Sequence, residues 1–233
     1  MRRVGGLLAV ALLLAAGAAA AAFAVQSPSR LQASILAAAA AKKSVHYVVT
    51  NHATTSGRMV CDVARDRGIQ RITFTKGGAT GHVTVLVVDR TAYIRGDAFA
   101  LHAYMGFTSA QASQYHGRWI AIPHGFPSYA TVAAGVTLAS VVHELKMSGS
   151  SLVRVAGKLG GDAVIGVRRT GTVSGLQTIE TLYAQAHGAP LPVEQTQVAP
   201  AKGYRDTTTL SRWNEPVRVV PPANAVPISI VAS

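Results

Sequence analysis

Residues 91–123 read TAYIRGDAFALHAYMGFTSAQASQYHGRWIAIP. Thr91 to Arg95 is β-branched and aromatic strand text, and Gly96-Asp97 breaks it. Phe99 to Tyr115 reads as one or two short helices divided at Gly106. Thr108 is placed to cap the second, and Gln111, three residues on, completes a capping box. Trp119 to Ile122 returns to strand, and Pro123 stops it. A strand, a short helical cover and a second strand, with no catalytic cluster among them, point to a sheet that encloses something.

The text on either side extends the pattern. Leu31 to Lys43 is Ala-rich helix with Leu31, Ile35 and Leu36 on one face, and Lys42-Lys43 complement its C-terminal dipole. Strand text follows at Val45–Thr50, Met59–Ala64, Ile69–Thr75 and His82–Val88, with turns at Gly57, Gly68, Gly77-Gly78 and Gly81. Asp89-Arg90 fits a two-residue hairpin link. Links this short make an antiparallel meander. Downstream, Ser128–Met147 is predicted as one long helix on the stripe Val132, Val136, Leu138, Val142 and Leu145, against which Gly135 counts by about 1 kcal/mol. Strands return at Ser151–Lys158, Ala163–Thr170, Thr178–His187, Pro192–Val198, Tyr204–Leu210 and Val217–Val220. Pro221-Pro222 ends the last, and residues 223–233 are expected to be a loose tail. The predicted fold is α+β: a large curled antiparallel sheet of about ten strands, a half-barrel with helices over one face.

The chain has 233 residues and a formal net charge of +12. Its start is laid out as an export signal: Arg2 and Arg3, an apolar run from Leu7 to Ala16, and the small-residue site Ala22-Phe23-Ala24. Residues 1–24 are therefore expected to be a signal peptide or, since Val4 to Val25 carries no charge, an uncleaved membrane anchor; 25–30 is a linker and 31–222 the folded body. Both readings put the body outside the cytoplasm. Without Arg2 and Arg3 the body holds 20 basic against 10 acidic residues. For an exported protein that excess points to an anionic membrane surface or cell-wall polymer and away from nucleic acid, but the cations are scattered, with only the short pairs Lys42-Lys43 and Arg168-Arg169, and a solvated basic surface is the stronger reading. The one cysteine, Cys61, leaves no lipid-modified cleavage cysteine and no internal disulfide, and is read as a small buried hydrophobe in what is expected to be a monomer.

Four stretches, in this order, carry a resemblance: Ser44-Val45-His46-Tyr47 after an Ala-Lys helix, Tyr93-Ile94-Arg95-Gly96-Asp97, Gly117-Arg118-Trp119 through Pro123, and Trp213-Asn214-Glu215-Pro216-Val217 before Pro221-Pro222. Together they resemble the mycobacterial LppX/LprG-type envelope lipoproteins and their actinobacterial relatives, a group similar in fold to the periplasmic carrier LolA. The resemblance spans Leu31 to Pro222. It implies a LolA-like half-barrel with an apolar cavity for acyl chains, and a role in carrying lipids or glycolipids across the envelope. The chain departs from the group in lacking the lipid-modified cysteine.

The eight histidines show no metal-ligand spacing, and no nucleophile elbow or phosphate loop is present. The expectation is a protein with no catalytic site, metal or cofactor. Ile72 and Phe74 share one strand face, as do Val83, Val85 and Val87. With Ile94, Met105, Trp119, Val142 and Leu145 these are the candidate lining of a lipid cavity. The expected function is lipid or glycolipid binding or carriage in the cell envelope, membrane-bound or secreted. The alternative is a sensing or protein-interaction module on the same fold with a filled interior.

Overall fold

The computed structural model describes residues 26–52, 55–148, 151–173 and 175–231; the N-terminal segment 1–24, on which signal and anchor readings turn, lies outside them. In chain order the elements are α1 (Pro28–Ala40), β1 (Ser44–His52), β2 (Thr55–Ala64), β3 (Gly68–Lys76), β4 (Ala79–Val88), β5 (Thr91–Gly96), α2 (Ala98–Ala103), α3 (Ser109–Tyr115), β6 (Ile120–Pro123), α4 (Tyr129–Val132) and α5 (Leu138–Glu144). There follow β7 (Val153–Leu159), β8 (Asp162–Val173), β9 (Leu176–Gln185), β10 (Pro192–Ala199), a single 3₁₀ turn (Pro200–Lys202), β11 (Tyr204–Ser211), β12 (Val226–Pro227) and α6 (Ile228–Val231). The strands form one curled, unclosed sheet of twelve, ordered β12-β6-β5-β4-β3-β2-β1-β11-β10-β9-β8-β7. Every pair is antiparallel except β12 with β6. Two meanders therefore meet where β1 pairs with β11, joining Tyr47 to Leu210 and Val49 to Thr208.

Local chemistry sets the links. Asp89 and Arg90 both take positive φ, 50° and 58°, the requirement of the tight hairpin turn that matches strand twist. Gly77-Gly78 and Gly160-Gly161 meet the same requirement without a Cβ. Asp97 caps α2, accepting from the Ala100 amide at 2.7 Å, and the Thr108–Gln111 capping box opens α3 as expected.

The concave face is read from strand register. One row runs Leu210, Tyr47, Cys61, Gln70, Val85, Ile94 and Ile120, and the next runs Thr208, Val49, Met59, Ile72 and Val83. Leu31 and Ile35 of α1 and Leu138, Val141 and Leu145 at α5 close over β1, β2, β8 and β9. The amide of Gln32 ties α1 to the end of α5, donating to the Met147 carbonyl at 3.1 Å and accepting from the Met147 amide at 3.2 Å. A second cluster packs Tyr115 and Val136 on β4, β5 and β6.

Three expectations are corrected. The single helix over 128–147 is two short helices, because Gly135 takes φ +69° between them and Thr137 caps a fresh start at α5. The apolar stripe runs through the break, so periodicity alone could not reveal it. Val217–Val220 is not a strand. It belongs to an extended strap that carries the chain from β11, beside β1, past β2–β5 to β6. The strap lies on the outer face, where Val217 and Arg218 share a hollow with His46, Asp62, Ile69 and Arg71. The tail is not loose through Val231: Val226 donates its amide to the Trp119 carbonyl at 2.8 Å, and Ile228 and Val231 are buried beside Ile120 and Tyr115. Ile228→Ala is expected to cost about 2 kcal/mol in urea unfolding. A tail without a structural role would leave the midpoint unchanged.

Candidate functional site

Between the concave face and its cover lies a cavity of about 590 Å³. Its apolar wall is Val49, Met59, Ile72, Val85, Met105 and Val132; its polar wall is Tyr47, Gln70, Glu144, Asp206 and Thr208. A side pocket of about 260 Å³, lined by Asn51, Gly57 and Phe74, shares Val49, Met59, Ile72, Tyr104 and Asp206 with it. The volume falls within the range of small-molecule sites, roughly 300–1,000 Å³. Another hollow of about 480 Å³ lies along the β7–β8 and β9–β10 links, and among the described residues its lining comes from strands and links alone.

The cavity is held open at the helix break. The Tyr47 hydroxyl, rising from the middle of β1, donates to the Gly135 carbonyl at 2.5 Å. A Cβ at position 135 would sit 2.7 Å from that hydroxyl, so glycine is required by space as well as by φ. The Gly135 amide donates to Ser140 Oγ at 2.7 Å, and Ser140 Oγ reaches Glu144 Oε1 at 3.3 Å. Gln70 Nε2 lies 2.8 Å from Met59 Sδ and 3.5 Å from the Tyr47 hydroxyl. Gly68 lets the cover approach β3: a Cβ there would meet the Val136 carbonyl oxygen at 2.2 Å. At the mouth, Phe74 covers Gly81 and stacks on Phe99 at 5.6 Å, with Tyr104 tilted against it at 5.1 Å.

The polar wall is acidic and rich in acceptors. Burial pushes the carboxyls of both Asp206 and Glu144 above the ordinary range. Burial likewise raises the Tyr47 phenol well above its usual value and pushes the Cys61 thiol up to about 12, so both stay protonated. Asn51 and Asp206 stand opposite each other in the β1–β11 ladder, and a buried Oδ1 of each has no protein partner. Among the described residues no cationic side chain lines the main cavity; Arg58 borders the side pocket and belongs by register to the outer face. Among the described residues no cluster of three metal-ligating side chains forms.

The candidate residues read from sequence divide. Ile72, Val85 and Met105 line the cavity and Phe74 the side pocket. Val83 packs under Phe74 beside Ala100, and Val87 and Ile94 pack with Tyr115 and Ile120; these three support the lining as core. Leu145 is buried against α1 and β1, with Val142 at the margin of that cluster. Trp119 stands apart on the outer face, where the Arg95 guanidinium sits 4.7 Å from its ring centroid. Sequence reasoning missed Tyr47, Val49, Met59, Glu144 and Asp206. Asp206 carried a signal: an acid inside uninterrupted strand text, YRDTTTL, with no turn to explain it.

A scan of family models and a search of curated proteins find no match to the chain. Solved structures do match. LprF from Mycobacterium bovis aligns with a TM-score of 0.52 at 17% identity, over 85% of this chain and 99% of its own. The lipoprotein LppX from Mycobacterium tuberculosis aligns with a TM-score of 0.50 at 16% identity, over 83% and 100%. The fold is that of LprF and LppX. The half-barrel expected from the resemblance is thereby met, and at such identity the likeness is one of fold. No helix among the described residues is long and apolar enough to cross a membrane.

The raised carboxyl of Asp206 gives a signed prediction. Its folded form holds the proton more tightly than the unfolded chain does. That contribution to stability is therefore full below the ordinary carboxylate range, near pH 4, and is lost as pH rises through the raised value. Asp206→Asn is expected to unfold at a higher temperature than the parent at pH 8, with the gap closing toward pH 4. A constant or widening gap on acidification would contradict this.

Proposed function

We propose that this exported protein is a non-catalytic binder or carrier of lipids or glycolipids in the cell envelope, with an acyl chain in the cavity between sheet and cover. The observation that carries this reading is the cavity itself, two-walled, about 590 Å³, and lined by Val49, Met59, Ile72, Val85, Met105 and Val132. Apolar burial supplies the drive, about 0.8 kcal/mol for each methylene removed from water. The fold shared with LprF and with the lipoprotein LppX, and the N-terminal export layout, support the envelope location. The same reading includes an anionic membrane surface as the body's electrostatic partner. A sensing module with a filled interior is the lesser reading, since side chains leave this volume open.

The polar wall refines what the head of such a ligand can be. Asp206, Glu144 and the orphaned Asn51 and Asp206 oxygens favour a neutral head that donates hydrogen bonds. A carboxylate or phosphate entering the cavity would meet acids without a facing cation.

Uptake of a fluorescent acyl probe tests the reading. Filling the apolar wall with Ile72→Trp, which displaces about two methylenes, is expected to weaken binding roughly tenfold while the thermal transition persists. Native mass spectrometry of protein purified from a membrane-containing host is expected to show bound lipid. No lipid and no probe uptake by the parent would sink the proposal.

A further inference from the structure

The convex face of the sheet carries a plate of arginine. Register sets Arg71, Thr84 and Arg95 directly opposite one another on β3, β4 and β5, and Arg58, Thr73 and His82 in the adjoining row of β2, β3 and β4. Arg58, Arg71, His82 and Arg95 are all exposed, as is His116. Arg95 rests on Trp119. His82, Thr84, Arg95, Asp97 and His116 line one shallow hollow; Asp62, Arg71, Arg212, Glu215 and Arg218 line another beside the strap.

The acids on this face are already engaged. Asp97 accepts from the amides of Ala100 and His82, at 2.7 and 2.6 Å. Asp62 holds His46 at 2.7 Å and Arg212 at 3.3 Å, and Glu215 lies 3.7 Å from Arg212. Among the described residues no ion pair neutralises Arg58, Arg71 or Arg95. Arg71 and Arg95 stand two strands apart, ~10 Å, about one screening length at physiological salt. Their mutual repulsion is therefore only partly screened, and a layer of fixed negative charge against the face would relieve it.

We propose that the convex face of β2–β5 docks on an anionic lipid bilayer, with Arg58, Arg71 and Arg95 against phosphate headgroups and Trp119 at headgroup depth. The cations are spread over a broad convex plate rather than along a groove, which fits a surface better than a threaded polyanion. An amphipathic indole at its margin fits the membrane interface. The proposal rests on the envelope location in the reading above, and not on what fills the cavity.

Co-sedimentation of the exported protein with phosphatidylglycerol-containing and with pure phosphatidylcholine vesicles tests it. The N-terminal apolar run is common to all arms, so the readout is the ratio between the two vesicle types. The parent is expected to prefer anionic vesicles, with each arginine contributing roughly fivefold. Arg71→Gln/Arg95→Gln is expected to reduce that preference about 25-fold, and Arg71→Glu/Arg95→Glu, which adds repulsion, by more. Lys158→Glu/Lys202→Glu, with the same charge change on the far half of the sheet, is expected to retain it. Equal loss in the two glutamate pairs, no preference in the parent, or binding to soluble polyphosphate without binding to vesicles would overturn the proposal. Acyl-probe uptake on the same samples separates the two readings. Uptake without vesicle preference leaves the carrier and removes the dock; vesicle preference without uptake does the reverse.

Discussion

One hydrogen bond organises the interior, from the Tyr47 hydroxyl at mid-sheet to the Gly135 carbonyl in the cover. An unbroken helix over 128–147 would run about 30 Å, and lie along the concave face as a packed layer. Glycine at 135 turns the chain instead, and Tyr47 pins the turn to β1. Gly68 admits the next residue, Val136, against β3. The cover is therefore tied down at its break, with Leu138, Val141 and Leu145 after it packed over β1, β2, β8 and β9. The cavity and its acidic wall both lie around that tie: Glu144 reaches it through Ser140, and Val132 and Ala134 border it.

The period of two along each strand sorts the chain's chemistry onto two faces of opposite character. Gln70, Ile72 and Val85 face inward, while Arg71 and Thr84 between them face out, and Ile94 and Arg95 divide in the same way. Cations gather outside, while among the described residues the main cavity meets two carboxyls and no cation. The net charge of +12 is thus mostly a property of the surface and gives no guide to the cavity. Segregation of this kind lets one sheet meet an anionic layer on one side and an uncharged amphiphile on the other.

The legible parts of the fold were those fixed by short-range chemistry. Gly77-Gly78, the Asp89-Arg90 link and the Thr108–Gln111 box act within four residues, so sequence and structure agree there. The strap and β12 were not legible because their order comes from distant partners. Val217 and Val219 have strand text, but their place on the outer face offers no ladder edge, and two residues at Val226–Pro227 are too few to announce a strand. The cavity lining was half legible for a related reason. Alternation assigns Ile72 and Val85 to the inner face, but whether an inner residue borders space or core depends on where the cover lifts. Val83 and Val85 share a face, and only Val85 borders the opening.

The stretches that carried the family resemblance explain why fold was readable and ligand was not. Ser44 Oγ donates to the Glu215 carbonyl at 2.5 Å, the Asn214 amide to the Ser44 carbonyl at 3.0 Å, and the Lys43 amide to Asn214 Oδ1 at 2.9 Å. The Trp213–Pro216 motif is thus a clasp that fastens the end of β11 to the start of β1, where the two meanders join. Asn214, at φ +69°, accepts a left-handed turn that few other residues tolerate. Gly96 lets β5 pass beside Leu101 and accepts from the Gly117 amide at 2.8 Å, which fixes the return to β6. Trp119 stacks outward on Arg95. Of the residues in these four stretches only Tyr47 reaches the cavity, and it does so to hold the cover. Motifs that close a half-barrel say nothing of its contents; ligand selectivity rests with Val49, Met59, Ile72, Glu144 and Asp206, whose types can change while the clasp, and so the fold, stays intact.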